Sequence, residues 1–154
     1  MNIVHKSEVD FYFRPISRIN VIIWYIYSLK WFYLIRFLFR FCLNCEFPNS
    51  IKDKKTRLPH PYGIILSSKV VIGNNVTIFH NVTVGAISTG KKHGSPIIED
   101  NVIIYPNSVI IGNLTVGENA IIGAGSVVIK NVERNTIVAG NPAKVIGIII
   151  EDIS

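Results

Sequence analysis

The sequence predicts a mainly β fold: a parallel β-helix of hexapeptide repeats behind a short N-terminal helical segment. Three observations predict it. An aliphatic residue recurs at every sixth position from Leu66 onward; the chain is 49% hydrophobic and only 17% charged, with Ile and Val prominent; and the first 45 residues follow a different, aromatic-rich pattern. β-Branched residues suit a pleated, half-buried surface, so their excess favours strands. With 154 residues, the chain is long enough for one domain that buries about two thirds of its unfolded surface.

From Pro15 to about Cys45, Trp, Tyr, Phe, Leu and Ile surround single charges at Lys30, Arg36 and Arg40, which suits one or two amphipathic helices. Residues 1–59 are therefore assigned to a helical cap and linker. The aromatic face packs on the rest of the protein in one reading. In the other, Trp24, Trp31 and Phe37 with their basic neighbours make peripheral contact with an anionic membrane surface. The longest uncharged apolar stretch, Ile19 to Leu29, has eleven residues, short of the ~18 to 20 that span a bilayer. The first residues lack the order of a signal peptide, so a cytoplasmic protein is expected, with the inner face of the cell membrane as an alternative site.

The net charge of +6 lies entirely in residues 1–60, where ten Lys and Arg face four Asp and Glu. These cations are scattered among aromatic and aliphatic residues with no base-reading motif, so nucleic-acid binding is not expected. Cys42 and Cys45 have no second Cys/His pair at zinc spacing, which indicates neither a disulfide framework nor a metal site.

From Leu66 the chain reads in sixes, with ten hexapeptides beginning at Leu66, Ile72, Ile78, Val84, Ile98, Ile104, Ile110, Val116, Ile122 and Val128. Position one is always Ile, Leu or Val, position five is small or aliphatic, and position four is usually Asn or Gly. Asn and Gly tolerate the positive φ of a corner between short strands, and position one points inward to stack on the next coil. This period is the signature of a parallel β-helix. Residues 60–147 are assigned to it.

Gly90 to Ile97, eight residues, break the frame, so a loop spanning 86–97 is extruded from the scaffold. Such loops commonly carry function, and this one is polar, basic and holds His93. The repeat fades after Glu133; residues 135–146 read as a terminal turn and strand, and 148–154 as a tail.

Four segments together resemble the serine acetyltransferase branch of the hexapeptide acyltransferases, including relatives that O-acetylate sugars of capsule, O-antigen and exopolysaccharide. They are His60-Pro-Tyr-Gly-Ile-Ile, the run from Ile72 to Gly85, Gly123-Ala-Gly-Ser-Val-Val, and Ala139-Gly-Asn-Pro-Ala-Lys-Val-Ile. The likeness covers about residues 46 to 147. It implies a left-handed β-helix, against the usual crossover hand, that forms a homotrimer with acetyl-CoA in the groove between subunits.

Two departures shape the expected function. Serine acetyltransferases carry a long N-terminal helical domain, whereas only about 45 residues precede the repeat here. The family's serine-binding loop carries Arg-His-Pro where this chain has Gly94-Ser95-Pro96, with His93 two residues early. The expected activity is thus an acetyl-CoA-dependent O-acetyltransferase acting on a sugar hydroxyl of a surface-polysaccharide precursor. A serine O-acetyltransferase of cysteine biosynthesis is the alternative, and a non-catalytic β-helix binding module a third reading.

Moving an acetyl group from a thioester to an alcohol needs a base, an oxyanion donor and a groove that aligns both substrates. His60 matches the family's catalytic histidine and suits the base. The resemblance implies an acid just before the β-helix, where Cys45 and Glu46 stand, and only Glu46 can orient and stabilise the imidazolium. His80, His93 and Ser95 are candidates for the acceptor site. For acetyl-CoA, the backbone at Gly85 and Ala86 is the candidate oxyanion donor, Ala124 and Gly125 leave room for the pantetheine arm, and Lys130, Arg134 and Lys144 are the cations for its phosphates. No cysteine lies in the repeats, so direct transfer is expected, and no metal is.

Overall fold

The computed structural model describes residues 2–6, 44–48, 51, 54–90 and 93–150. The helices expected from Pro15 to about Cys45 fall, up to residue 43, outside the described residues. Among the described residues the strands are β1 (Asn2–His5), β2 (Ile65–Leu66), β3 (Val71–Ile72), β4 (Thr77–Ile78), β5 (Thr83–Gly85), β6 (Ile97–Ile98) and β7 (Ile103–Ile104). They continue with β8 (Val109–Ile111), β9 (Thr115–Val116), β10 (Ile121–Ile122), β11 (Val127–Val128), β12 (Thr136–Ala139) and β13 (Lys144–Ile150).

Each hexapeptide supplies one short strand and one corner. Position one is buried throughout, from Leu66 and Ile72 to Ile122 and Val128, and so is position five at Val70, Val76, Val82, Val102 and Ala120. These side chains merge into one continuous core. At position four the backbone turns with positive φ at Asn75, Asn81, Asn101, Asn107, Asn119 and Gly125, as their small polar or absent side chains permit.

Parallel pairing stacks the coils into three faces: β2-β5-β8-β11, β3-β6-β9, and β4-β7-β10, the last continued by β12, β13 and β1. Ile104 pairs with Ile122 and Ile110 with Val128, eighteen residues on. Across the extruded loop the step is twenty-six, as in Ile72 with Ile98 and Val84 with Ile110. The eight extra residues are therefore absorbed wholly by the loop, and the register above it is unchanged.

Both ends of the stack differ from the sequence-based expectation. Below, Glu46 pairs with Ile65 and Arg57 with Thr77, while Phe47, Ile51 and Leu58 are buried. The β-helix core thus begins well before residue 60. Above, β12 and β13 pair antiparallel, and β1 pairs parallel with β13. Residues 2–5 are a strand rather than part of a helical cap, and 148–150 belong to β13 rather than to a free tail. Covering the last coil in this way satisfies backbone groups that would otherwise stay unpaired. Among the described residues no helix is long and apolar enough to cross a membrane.

Candidate active site

His60 projects from the first corner, the one between the β4 and β5 faces, because that corner is two residues longer in the lowest coil. Arg57 pairs with Thr77, twenty residues on, yet Ile65 pairs with Thr83, eighteen on. The surplus falls in Pro59-His60-Pro61, where the prolines have no N–H to give to a ladder. The Tyr62 N–H closes the bulge on the His60 carbonyl at 2.8 Å. The imidazole is exposed, with ring neighbours at Phe79 (6.3 Å between centroids, tilted 45°) and His80 (6.0 Å, edge-on at 71°).

Cys45 and Glu46 face opposite ways, as strand alternation requires. Cys45 is buried and its Sγ accepts the Ile64 N–H at 3.4 Å. Burial pushes this thiol's pKa up, so it stays neutral. Glu46 is exposed on the outside of the β5 face, opposite Ile65.

Above His60, the same corner climbs coil by coil. The Asn81 N–H bonds the Tyr62 carbonyl, Asn107 N–H the His80 carbonyl, and Gly125 N–H the Pro106 carbonyl. His80, Ala124 and Gly125 therefore share one edge with His60, which spacing alone left scattered. Both Ala124 and Gly125 are exposed, and a Cβ built on Gly125 would meet nothing within 4 Å. The upper edge is open enough for an extended, flexible chain to lie along it.

Gly85, Ala86, His93 and Ser95 gather at the second corner, between the β5 and β6 faces. Two backbone hydrogen bonds of 2.9 Å between Ile87 and Gly94 close the neck of the extruded loop. Ala86 and His93 are exposed beside this neck, whereas the Ser95 hydroxyl is buried without a hydrogen-bond partner. Ser95 therefore does not present its hydroxyl to an acceptor in this structure. Gly94 (φ +144°) is pressed on Asn113: a Cβ there would stand 2.7 Å from the Asn113 Cβ. Asn113 is the residue here that sequence reasoning passed over, since only the stacking of coils brings it against the loop from the coil above.

The three cations separate. Lys130 and Lys144 line one cleft of about 540 Å³, walled by Ile129, Pro142, Ala143 and Val145 at the top of the stack. Arg134 lies at the third corner, between the β3 and β4 faces, and pairs with Glu118 at 3.5 Å. It does not join the two lysines. Counting repeats in threes would have revealed this, because residues on one corner recur every third hexapeptide.

An exposed imidazole at the foot of an open edge, with room above it for an extended chain, can take a proton from a hydroxyl, while the two ammonium groups stand apart from that edge, in the cleft at the top of the stack. Among the described residues no group of His, Cys, Asp and Glu is arranged to hold a metal ion.

The bacterial transferase hexapeptide (six repeats) family matches residues 95–130. The serine acetyltransferase of Bacillus subtilis is 35% identical over 127 residues, covering 79% of this chain and 58% of that protein. Mitochondrial serine acetyltransferase 3 of Arabidopsis thaliana is 49% identical over 92 residues, covering 58% of this chain and 23% of that one. The crystal structure of serine acetyltransferase in complex with coenzyme A from Brucella abortus superposes with a TM-score of 0.58 at 38% identity, over 62% of this chain and 38% of that one. The fold is thus the left-handed β-helix of these proteins, and the chain spans well under two thirds of their length.

Proposed function

From the premise that this is a serine acetyltransferase-like hexapeptide-repeat chain, we propose that it transfers the acetyl group of acetyl-CoA to an alcohol, with L-serine as the acceptor. The observation that carries the reading is the bulged corner, which sets His60 in solvent at the foot of the edge formed by His80, Ala124 and Gly125. The relatives named above are serine acetyltransferases, which favours serine over the sugar hydroxyl expected from the loop.

His60 removes the proton of the acceptor hydroxyl as its oxygen attacks the thioester carbonyl. Because Ala86 lies at the second corner and His60 at the first, the Ala86 N–H is the proposed donor to the developing oxyanion from the neighbouring copy in the assembly. The carbon–sulfur bond then breaks, the acetyl ester is released, and the departing thiolate takes the proton back from the imidazolium. Glu46 is the proposed support for that imidazolium, because the neutral, buried Cys45 beside it has no charge to offer. Lys130 and Lys144 are assigned to the donor's phosphates. Assembly into a homotrimer, with the donor between subunits, belongs to the same proposal, and sedimentation equilibrium checks it against the 17.3 kDa chain mass.

One observation favours a second reading, a sugar acceptor. Gly94 stands where the family's serine-binding loop carries Arg and, pressed on Asn113, leaves no room for a side chain there.

Thiol release from acetyl-CoA, followed with L-serine and in parallel with sugars and lipid-linked glycans, separates the two readings. Turnover with serine that falls by about 10²-fold or more in His60→Ala supports the first. Turnover with a glycan alone supports the second. Equal turnover in wild type and His60→Ala removes His60 from the chemistry.

A further inference from the structure

We propose that the stacked rings of Phe79 and Tyr105 hold the His60 imidazole in its working orientation, which makes Phe79 a positioning residue for that histidine. This rests on His60 being the base, as proposed above.

Position two of a hexapeptide lies on the outside of the prism, just before the corner. In the ten repeats it is filled by Ser67, Gly73, Phe79, Gly85, Glu99, Tyr105, Ile111, Gly117, Gly123 and Ile129, so aromatic rings occur only at Phe79 and Tyr105. Those two fall on the same face in successive coils, because β4 pairs with β7 with Ile78 opposite Ile104. Their rings stack at 5.2 Å with 9° between planes. The lower ring lies 6.3 Å from His60.

The stack is itself anchored. Phe79 and Tyr105 pack against Ile103, Ile121 and Ile149, a small apolar cluster on the outside of the β4 face that is separate from the main core. Its members come from β7, β10 and β13, so three strands fix the place of the rings.

His60 needs such a support. Its corner is the bulged one, where the regular ladder is interrupted by Pro59 and Pro61, and among the described residues its imidazole makes ring contacts and no hydrogen bond. An exposed imidazole with two free torsions would otherwise sample several rotamers, only some aimed at an acceptor. The Phe79 ring on one side and the edge of His80 on another remove part of that freedom.

The test pairs kinetics with a readout that needs no activity. Phe79→Ala is expected to lower kcat about three- to tenfold, the usual worth of an aromatic contact, with KM for acetyl-CoA within about twofold. Phe79→Tyr is expected to restore kcat, and Phe79→Leu, which keeps most of the apolar volume and guards against a folding defect, to stay low. In the same variants the carbon-bound imidazole protons of His60, assigned by their loss in His60→Ala, are expected to shift in Phe79→Ala and Phe79→Leu but not in Phe79→Tyr. Unmoved His60 resonances in Phe79→Ala, or wild-type kcat in Phe79→Leu, overturns the proposal. If the wild type turns over no acceptor, the acetyl-transfer reading falls, and the resonances alone decide whether Phe79 holds His60.

Discussion

The Asn119 side-chain amide donates to the Asn135 side-chain oxygen across 2.8 Å, one coil further up the third corner. Both residues have positive φ, near 59° and 56°. The asparagine at this corner thus serves twice, by adopting the left-handed backbone and by tying one coil to the next.

Asn119→Ala therefore loses both contributions and is expected to cost about 1 to 2 kcal/mol. Asn119→Gly keeps the backbone freedom and loses only the hydrogen bond, so it should cost roughly half as much. Thermal unfolding of the two variants checks the order; an alanine variant as stable as the glycine one would show that the backbone conformation carries no cost.

Gly94→Ala is expected to displace the neck of the extruded loop, because the new Cβ meets the Cβ of Asn113 rather than a group that can rotate away. The positive φ adds strain of its own, and together the cost is about 1 to 3 kcal/mol. The double variant Gly94→Ala/Asn113→Gly removes the clash and leaves the backbone strain, so it should recover part of the stability and of the turnover. No recovery in the double variant would place the whole effect in the backbone.

Asp100 ties the third corner by accepting from the Asn74 N–H at 2.7 Å and from its side-chain amide at 3.1 Å. These bonds, the backbone one foremost, hold its pKa below the ordinary carboxylate value, with Lys54 adding a little. A depressed folded pKa gives stability that is present above the unfolded value, near 3.9, and lost as pH falls through the folded one. Asp100→Asn should therefore be less stable than wild type at pH 7, with the difference shrinking below about pH 4. Denaturant midpoints measured between pH 7 and pH 3 test it; a constant difference would deny the carboxylate its part.

Lys130→Ala and Lys144→Ala are each expected to raise KM for acetyl-CoA several-fold, about 1 kcal/mol of lost charge-assisted bonding per site. Arg134→Ala should leave KM unchanged, since Arg134 lies at another corner with Glu118. Steady-state kinetics in varied donor concentration decides, and an Arg134→Ala effect as large as the lysine ones would bring that corner into the donor site.

How far the sequence reached can be seen from particular residues. Ile110 and Val116 are buried and Asn107 has positive φ, each as its place in the hexapeptide requires. The loop from residue 86 was visible because eight residues do not divide by six. Arg134 was grouped with Lys130 and Lys144 by sequence proximity, although the corner a residue occupies depends on counting hexapeptides in threes. Leu58 and Ile51 were left in a linker because the lowest coil carries surplus residues that put it out of frame.

By itself, then, the sequence determined the repeat, the inward and outward faces of each strand and the place of the loop, since all three follow from a local period of six and from the backbone freedom of Asn and Gly. Only the tertiary structure decided which side chains meet. His60 reaches Phe79, Gly94 meets Asn113, and β1 closes on β13 through contacts between coils that lie eighteen or more residues apart. Those contacts depend on register between coils, and register is set by the summed length of every corner and loop between them, which no single hexapeptide contains.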